Sequence, residues 1–290
     1  MTYFEWLNKQ TDTKWWHDSA SPQEIELAIS RGAKGVTTNP VLTYRTFKNE
    51  PDYWKEKVSE IPQNVLFTER AEALLKLVAT HAAGMFEDVF ISSNGQHGYA
   101  LGQLNPEFAA DADKMFEQAV KYHSWGNNIA IKIPATHAGI VVIEKLAAKG
   151  IPICATLNVS VSQAIHVAEA YEKGRKEAIK NGIEPSICLV VQQVGRLDDY
   201  LRDIAKDLDA DVSEEDIVQA GIAVCKRTYQ IFVERNYNSI IMPAGLRGIN
   251  QVTELAGGKV IFSLQTRVQN MILEANPPQV ERIAEPVDSD

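Results

Sequence analysis

Short apolar runs alternate with amphipathic segments along almost the whole chain. Eight of the runs have the length and character of strands: Lys14–Asp18, Gly35–Asn39, Gly98–Leu104, Asn128–Pro134, Ile151–Leu157, Ile187–Val194, Ser239–Ala244 and Lys259–Ser263. Strands separated by helical segments predict an α/β fold, and eight of them is the count of a (β/α)8 TIM barrel. Helix punctuation agrees. Ser21-Pro22-Gln23-Glu24 reads as an N-cap, a proline at the first helical position and a capping-box glutamate, and Gly32 supplies the stop. Ser160 with Gln163 opens the helix after the fifth strand in the same way. Gly150 sits where the preceding helix, over about 140–149, should end.

A doubly wound open sheet is the competing arrangement, and strand counting does not exclude it. Against it, the first strand runs into Asp18-Ser-Ala-Ser-Pro, which has no glycine-rich phosphate-loop character. The long stretch from Val41 to Gln96 separates the second and third strands; Thr68 to Phe86 reads as a helix, and Pro51–Trp54 opens a shorter one. From Asn276 the chain carries Pro277, Pro278 and Pro286 and an acidic end, so it is expected to trail over the surface. With no repeat and no linker, the reading is one barrel over residues 1–275 and a surface tail over 276–290.

Composition narrows the function classes. The chain has 290 residues, 45% apolar and 23% charged, and one of this length buries roughly 75% of its unfolded surface without staples. Its net charge is −9, with 29 basic against 38 acidic residues and no basic block. Neither nucleic acid nor a membrane is expected as a partner, although a few local arginines could hold a phosphate. Cys154, Cys188 and Cys225 have no ligand-like spacing, so neither a disulfide framework nor a metal site is expected, and a reducing cytoplasmic setting fits. No apolar stretch approaches the roughly 20 residues of a spanning helix, and Met1-Thr-Tyr-Phe-Glu-Trp is not a signal peptide.

The candidate chemistry sits at the ends of strands. In Ile129-Ala-Ile-Lys132-Ile-Pro134, strand periodicity puts the isoleucines on one face and Ala130, Lys132 and Pro134 on the other. In a barrel Lys132 would point inward near the strand's C-terminal end, where active sites of this fold lie. Two readings stand together. The lysine either snorkels to solvent or is held by a carboxylate, or it is a desolvated amine able to attack a ketone and form a Schiff base. On the fifth strand Cys154 and Thr156 share the inward face; Cys154 reads first as a small buried hydrophobe, since no charged activator is visible. Gly35-Val-Thr-Thr-Asn39-Pro40 places an amide at the rim, in what is equally a routine strand-to-loop turn. Asp18 closes the first strand, where capping a helix is the plain alternative.

Taken together these segments resemble the transaldolase family of class I aldolases. The matching blocks are Asp18-Ser19, Gly35 to Pro40, Ile131-Lys132-Ile133-Pro134-Ala-Thr136-His-Ala-Gly139, Thr156-Leu157 with Ser160 and Gln163-Ala164, Val194-Gly195-Arg196, and Arg247, spread over about residues 12 to 265. The resemblance implies a (β/α)8 barrel, no cofactor and no metal, with Lys132 as the Schiff-base lysine. It also implies that Asp18 handles hydroxyl protons during carbon–carbon cleavage and that Asn39 binds the dihydroxyacetone part. Arg196 and Arg247 would grip the phosphate of a sugar phosphate substrate, a job suited to forked, permanently charged donors; a surface salt bridge is the plain alternative for each.

Four positions depart from the family pattern. Gln103, in Gly102-Gln103-Leu104-Asn105-Pro106, stands where classical transaldolases carry a glutamate that works through a water; an amide positions a water but exchanges no proton near neutral pH. The fructose-6-phosphate aldolase subgroup also has glutamine there but adds a tyrosine on the sixth strand, where this chain has Gln193, with Val191 in place of the usual serine. Cys154 replaces an asparagine beside the Schiff base. The expectation is an enzyme that transfers or releases a dihydroxyacetone unit through Lys132, with Thr156 orienting a water or hydroxyl. The rival is a catalytically impaired barrel that binds a sugar phosphate as a sensor or partner. A homo-oligomer is compatible with either.

Overall fold

The computed structural model describes residues 1–286; the acidic end of the expected tail, residues 287–290, lies outside the described residues. All eight predicted strands form: β1 Lys14–Asp18, β2 Val36–Thr37, β3 Ala100–Gln103, β4 Ile129–Pro134, β5 Ile153–Asn158, β6 Cys188–Gln193, β7 Ile240–Ala244 and β8 Ile261–Leu264. The helices are α1 Tyr3–Gln10, α2 Pro22–Ser30, α3 Pro40–Asn49, α4 Pro51–Ser59, α5 Phe67–Met85, α6 Glu87–Ser92, α7 Ala112–His123, α8 His137–Ala147, α9 Val161–Lys180, α10 Val194–Asp207, α11 Glu214–Glu234, α12 Ile249–Glu254 and α13 Thr266–Ala275.

Every strand pairing is parallel, in the orders β2-β1-β8 and β3-β4-β5-β6-β7. Two seams close the ring. At one, the Val36 amide donates to the Tyr99 carbonyl at 2.9 Å and the Thr38 hydroxyl to the Leu101 carbonyl at 2.7 Å, joining the second strand to the third. At the other, Ile241 bridges Val260. The chain is therefore a (β/α)8 TIM barrel, not a doubly wound open sheet, because an open sheet has two free edges and here each edge finds the other.

The pleat divides the core in two. Trp15, Ile129, Ile131, Ile133, Ile153, Val190 and Phe262 face outward into the layer between strands and helices. Trp16, Leu101, Ala130, Cys154, Leu189, Val191, Met242 and Ile261 face inward and fill the barrel's middle and lower interior. Helix starts follow the sequence signals: the Ser21 hydroxyl accepts from the Glu24 amide, and Ser160 with Gln163 makes a reciprocal capping box. Glu24 itself does not reach back, so α2 has the serine cap and Pro22 but not the full box. The helix expected over 140–149 begins three residues earlier, because the Thr136 hydroxyl caps it by accepting from the Gly139 amide.

Beyond Asn276 the chain does not simply trail over the surface. The amides of Arg282 and Ile283 both donate to the Ala256 carbonyl, and the Ile283 side chain is buried against the outer core. Replacing Ile283 by alanine is expected to cost about 2–5 kcal/mol, the usual loss for a buried isoleucine, read as a lower melting temperature. A change within about 0.5 kcal/mol would mean that this segment packs only loosely.

Candidate active site

The cavity at the C-terminal ends of the strands holds about 840 Å³ and takes in all nine residues singled out by the sequence: Asp18, Asn39, Gln103, Lys132, Cys154, Thr156, Gln193, Arg196 and Arg247. Parallel register sets their heights. Lys132 lies level with Gln103 on β3 and with Cys154 on β5, and Pro134 lies level with Thr156. The outward isoleucines on either side of Lys132 are fully buried against helices, so the strand cannot slip by one residue without burying the amine there and exposing apolar side chains to the cavity. Of the two plain readings of this lysine, the carboxylate clasp fails: among the described residues Lys132 enters no ion pair and Asp18 is the only carboxylate in the cavity wall.

Asp18 caps no helix, since Ser21 takes that role. Its Oδ1 accepts from the Thr37 hydroxyl at 2.8 Å and its Oδ2 from the Gln265 amide at 3.4 Å. Thr37 has one proton to give. Having given it to Asp18, it accepts from the Ser263 hydroxyl 2.8 Å away, so a chain from β8 through β2 to β1 fixes the carboxylate's orientation. Asn39 keeps both of its readings. Its Oδ1 caps α3 by accepting from the Leu42 amide at 2.9 Å, which leaves its Nδ2 donor for a ligand.

On the other side of the lysine, Gln193 Nε2 donates to Thr156 Oγ1 at 3.4 Å. Cys154 is fully buried, and desolvation pushes its thiol up to about 11 against the pull of Lys132, so it lies beside the amine as a neutral group. β5 then breaks register between Ala155 and Asn158. Leu157, at φ +68°, absorbs the bulge and stands exposed at the rim. A bulky residue held in the left-handed region costs on the order of 1–3 kcal/mol, and such conformations persist where the surroundings over-determine them. Here Asn158 supplies that restraint: it is fully buried, with Nδ2 donating to the carbonyls of Ala155 and Val191.

Arg196, in the first turn of α10, and Arg247, just after β7, are brought together by glycines. Gly195 passes the Gly245 carbonyl so closely that a Cβ would sit 2.0 Å from its oxygen. Both arginines do make the salt bridge that was their plain alternative, and both make it to one carboxylate. Arg247 meets Asp199 at 2.7 Å and Arg196 meets it at 3.6 Å; the bond from Arg247 does most to hold the Asp199 carboxyl below its usual range. Shared ion pairing of this kind aims two guanidiniums at one place without neutralising them. With Arg45, which also lines the cavity, the wall carries four cations against one carboxylate, in a chain of net charge −9.

Sequence reasoning missed Thr37, Ser263, Gln265, Asp199 and Arg45. Thr37 follows Gly35 and precedes Asn39 at the strand period, and Ser263 and Gln265 share that period on the last strand, so alternation alone could have placed all three. Asp199 lies three residues after Arg196 on a helix, a spacing that brings side chains together. No pattern singles out Arg45.

Among the described residues no helix is long and apolar enough to cross a membrane, and no group of three or more His, Cys, Asp or Glu side chains is placed to hold a metal ion. The transaldolase of Neisseria gonorrhoeae (strain ATCC 700825 / FA 1090) is 28% identical over 209 residues, which is 71% of this chain and 58% of that protein. The transaldolase of Mycobacterium leprae (strain TN) is 29% identical over 234 residues, 75% of this chain and 60% of that one. The chain thus spans about three-fifths of the length of the curated relatives it matches. A crystal structure of 2,3-dimethylmalate lyase overlaps it at a TM-score of 0.38 with 11% identity, covering 91% of this chain and 81% of that one, a likeness too slight to carry weight. Residues 15–283 match the family described as Transaldolase/Fructose-6-phosphate aldolase. That span takes in all eight strands but for the first residue of β1, and the chain belongs to this family.

Proposed function

We propose that the chain is a transaldolase-type transferase or class I aldolase that forms a Schiff base between Lys132 and a ketose phosphate and transfers or releases a dihydroxyacetone unit. The observation that carries this reading is an inward amine with no partner among the described residues, in a cavity whose only carboxylate is held in place by three other side chains. Lys132 is half-buried; a cation drawn partly out of water and left unpaired is costly, and a barrel built only to bind sugars has little use for one.

In this mechanism Lys132 Nζ attacks the ketose C2 carbonyl and water leaves as the iminium forms. The C3–C4 bonding pair moves into the iminium to give an enamine, while the C4 hydroxyl gives its proton to Asp18 and the aldehyde departs. The enamine then attacks an acceptor aldehyde, whose oxygen takes the proton back from Asp18, or is itself protonated on carbon; on either branch water hydrolyses the resulting iminium, releasing the product and freeing Lys132. Asn39 Nδ2 is free to donate to the dihydroxyacetone hydroxyls. Arg196 and Arg247, which follow β6 and β7 two to three strands round the ring from Asp18 on β1, suit the phosphate at the far end of an extended sugar. The cationic wall concentrates anions at the mouth of an otherwise acidic protein. Gln103 and Thr156, one on each strand beside Lys132, can hold a water, but neither can take its proton.

Lys132→Ala and Lys132→Arg should both abolish turnover and borohydride trapping of a ketose phosphate while the circular dichroism spectrum stays native. Arginine keeps the charge and cannot form the imine. Turnover within about tenfold of the parent would remove the Schiff base from the reading. If trapping succeeds in the unmodified protein but no acceptor or hydrolysis product ever forms, the chain is a sugar phosphate sensor.

Removing Arg196 or Arg247 should raise KM for fructose 6-phosphate about 10- to 150-fold, the worth of a charge-assisted contact of roughly 1.5–3 kcal/mol. The effect on unphosphorylated fructose should be small; equal losses on both would make the arginines structural.

Gln103→Glu should raise turnover, because it supplies a proton-exchanging group where there is none. General base catalysis is worth about 10²–10⁴-fold, and only part of that should return while Cys154 and Gln193 leave the water loosely held. A fall in turnover would instead mark Gln103 as an adaptation to a different substrate.

A further inference from the structure

We propose that Asp198 is a positioning residue that sets Arg247 at the anion end of the cavity by way of Gln251. Asp198 and Gln251 are both fully buried and reach the same spot from α10 and α12. Gln251 Nε2 donates to Asp198 Oδ2 at 2.5 Å, and Gln251 Oε1 accepts the Arg247 backbone N–H at 2.6 Å. An amide side chain can usually turn over; this one cannot. The Arg247 N–H only donates and an ionised carboxylate only accepts, so each end of the amide has one allowed orientation. Two consecutive aspartates therefore hold Arg247 at both of its ends: Asp199 takes the guanidinium directly, and Asp198 takes the backbone through Gln251.

The carboxylate is an expensive way to do this. Asp198 Oδ1 makes no well-formed hydrogen bond; it lies against the Gly221 backbone of α11, so near that a Cβ there would be 2.6 Å from it, and the Gly221 N–H steadies its charge only weakly. A buried oxygen left unpaired calls for an explanation, and here it comes from the other oxygen, whose charge fixes the Gln251 amide. The charged groups that act on Asp198 are Arg202 and Asp199, both from its own helix; α11 meets it with Gly221 and α12 with Gln251, neither of which titrates. Burial, opposed by the bond from Gln251 and by Arg202, pushes the Asp198 carboxyl up to about 6. Below that pH it gains a proton and becomes a donor as well, so it no longer holds the Gln251 amide to one orientation, and the bond to the Arg247 N–H loosens.

This inference rests on Arg247 meeting the substrate's phosphate, and the test separates the two. In steady-state assays with fructose 6-phosphate, Asp198→Ala and Gln251→Ala should each raise KM roughly five- to tenfold, the loss of one buried hydrogen bond. The value for kcat, and KM for unphosphorylated fructose, should stay within about twofold of the parent. The double variant should be no worse than Gln251→Ala alone, because the two act in series. Asp198→Asn, which like the protonated acid carries a donor beside its acceptor, should show at pH 8 the raised KM that the parent reaches only below about pH 6. It should also lack the parent's extra rise in KM below about pH 6; the substrate's own phosphate titrates there with both enzymes, so only the difference counts. Independently of any substrate, hydrogen exchange at the Arg247 amide should quicken in Asp198→Ala and, to a smaller extent, in Asp198→Asn. If KM rises equally for both sugars, or the Arg247 amide exchanges at the parent rate in Asp198→Ala, the positioning role is overturned. If instead Arg247→Ala leaves the preference for the phosphorylated sugar intact, the phosphate reading fails, and amide exchange alone decides whether Asp198 positions Arg247.

Discussion

The alternation of a single strand governs the rest of this molecule. β4 offers the helices three isoleucines and the barrel interior an alanine, a lysine and a proline. Because side chains alternate strictly, the apolar face cannot be buried without driving Lys132 inward, and the lysine cannot turn out without expelling the isoleucines. Each isoleucine buried in full is worth about 1.5–3 kcal/mol, so several kcal/mol of ordinary packing hold one amine where it would not go unaided. The neighbouring strands inherit that height: their parallel register places Gln103 and Cys154 beside the amine, one on each side.

Around this centre the wall holds two supported sets of charged groups. On the side of β1, β2 and β8, a relay of hydroxyls and an amide orients the one carboxylate. On the side of β6 and β7, glycines let two backbones meet so that Arg196 and Arg247 can share Asp199. The carboxylate and the arginine pair thus stand apart around the mouth with β8 between their strands, and Arg45 of α3 adds a further cation on the carboxylate's side. The fully buried thiol at Cys154 and the Gln193–Thr156 pair add polarity on the side of β5 and β6 without adding charge.

How much of this was legible in the chain depends on the range of the interaction. Strands and inward faces are local matters of period, and Lys132, Cys154 and Thr156 could be assigned to one surface without any knowledge of neighbours. Asp18 and Asn39 were harder, because a carboxylate or an amide at a strand end serves equally well as a cap. Only three-dimensional contact separates the cases: Ser21 takes the cap beside Asp18, whereas Asn39 does cap α3 and keeps its other donor. Ile283 shows the same limit. A proline-rich end reads as surface, yet a single isoleucine finds the outer core near Ala256.

The features that stayed hidden are those in which one residue acts through another. Nothing local in Leu-Asp-Asp-Tyr separates Asp198 from Asp199, and a run of two acids on an amphipathic helix reads as solvated surface. They differ because α10 enters the cavity wall with its first turn, so adjacent residues look in different directions. One looks along the wall to three guanidiniums and the other into the seam between α10, α11 and α12, where the glycine at 221 and the glutamine at 251 meet it. The direction in which such a side chain points is set by a helix's roll about its axis. That roll is fixed only when the barrel closes and the glycine contact between 195 and 245 is made. A sequence carries that information in its packing as a whole and not in any motif.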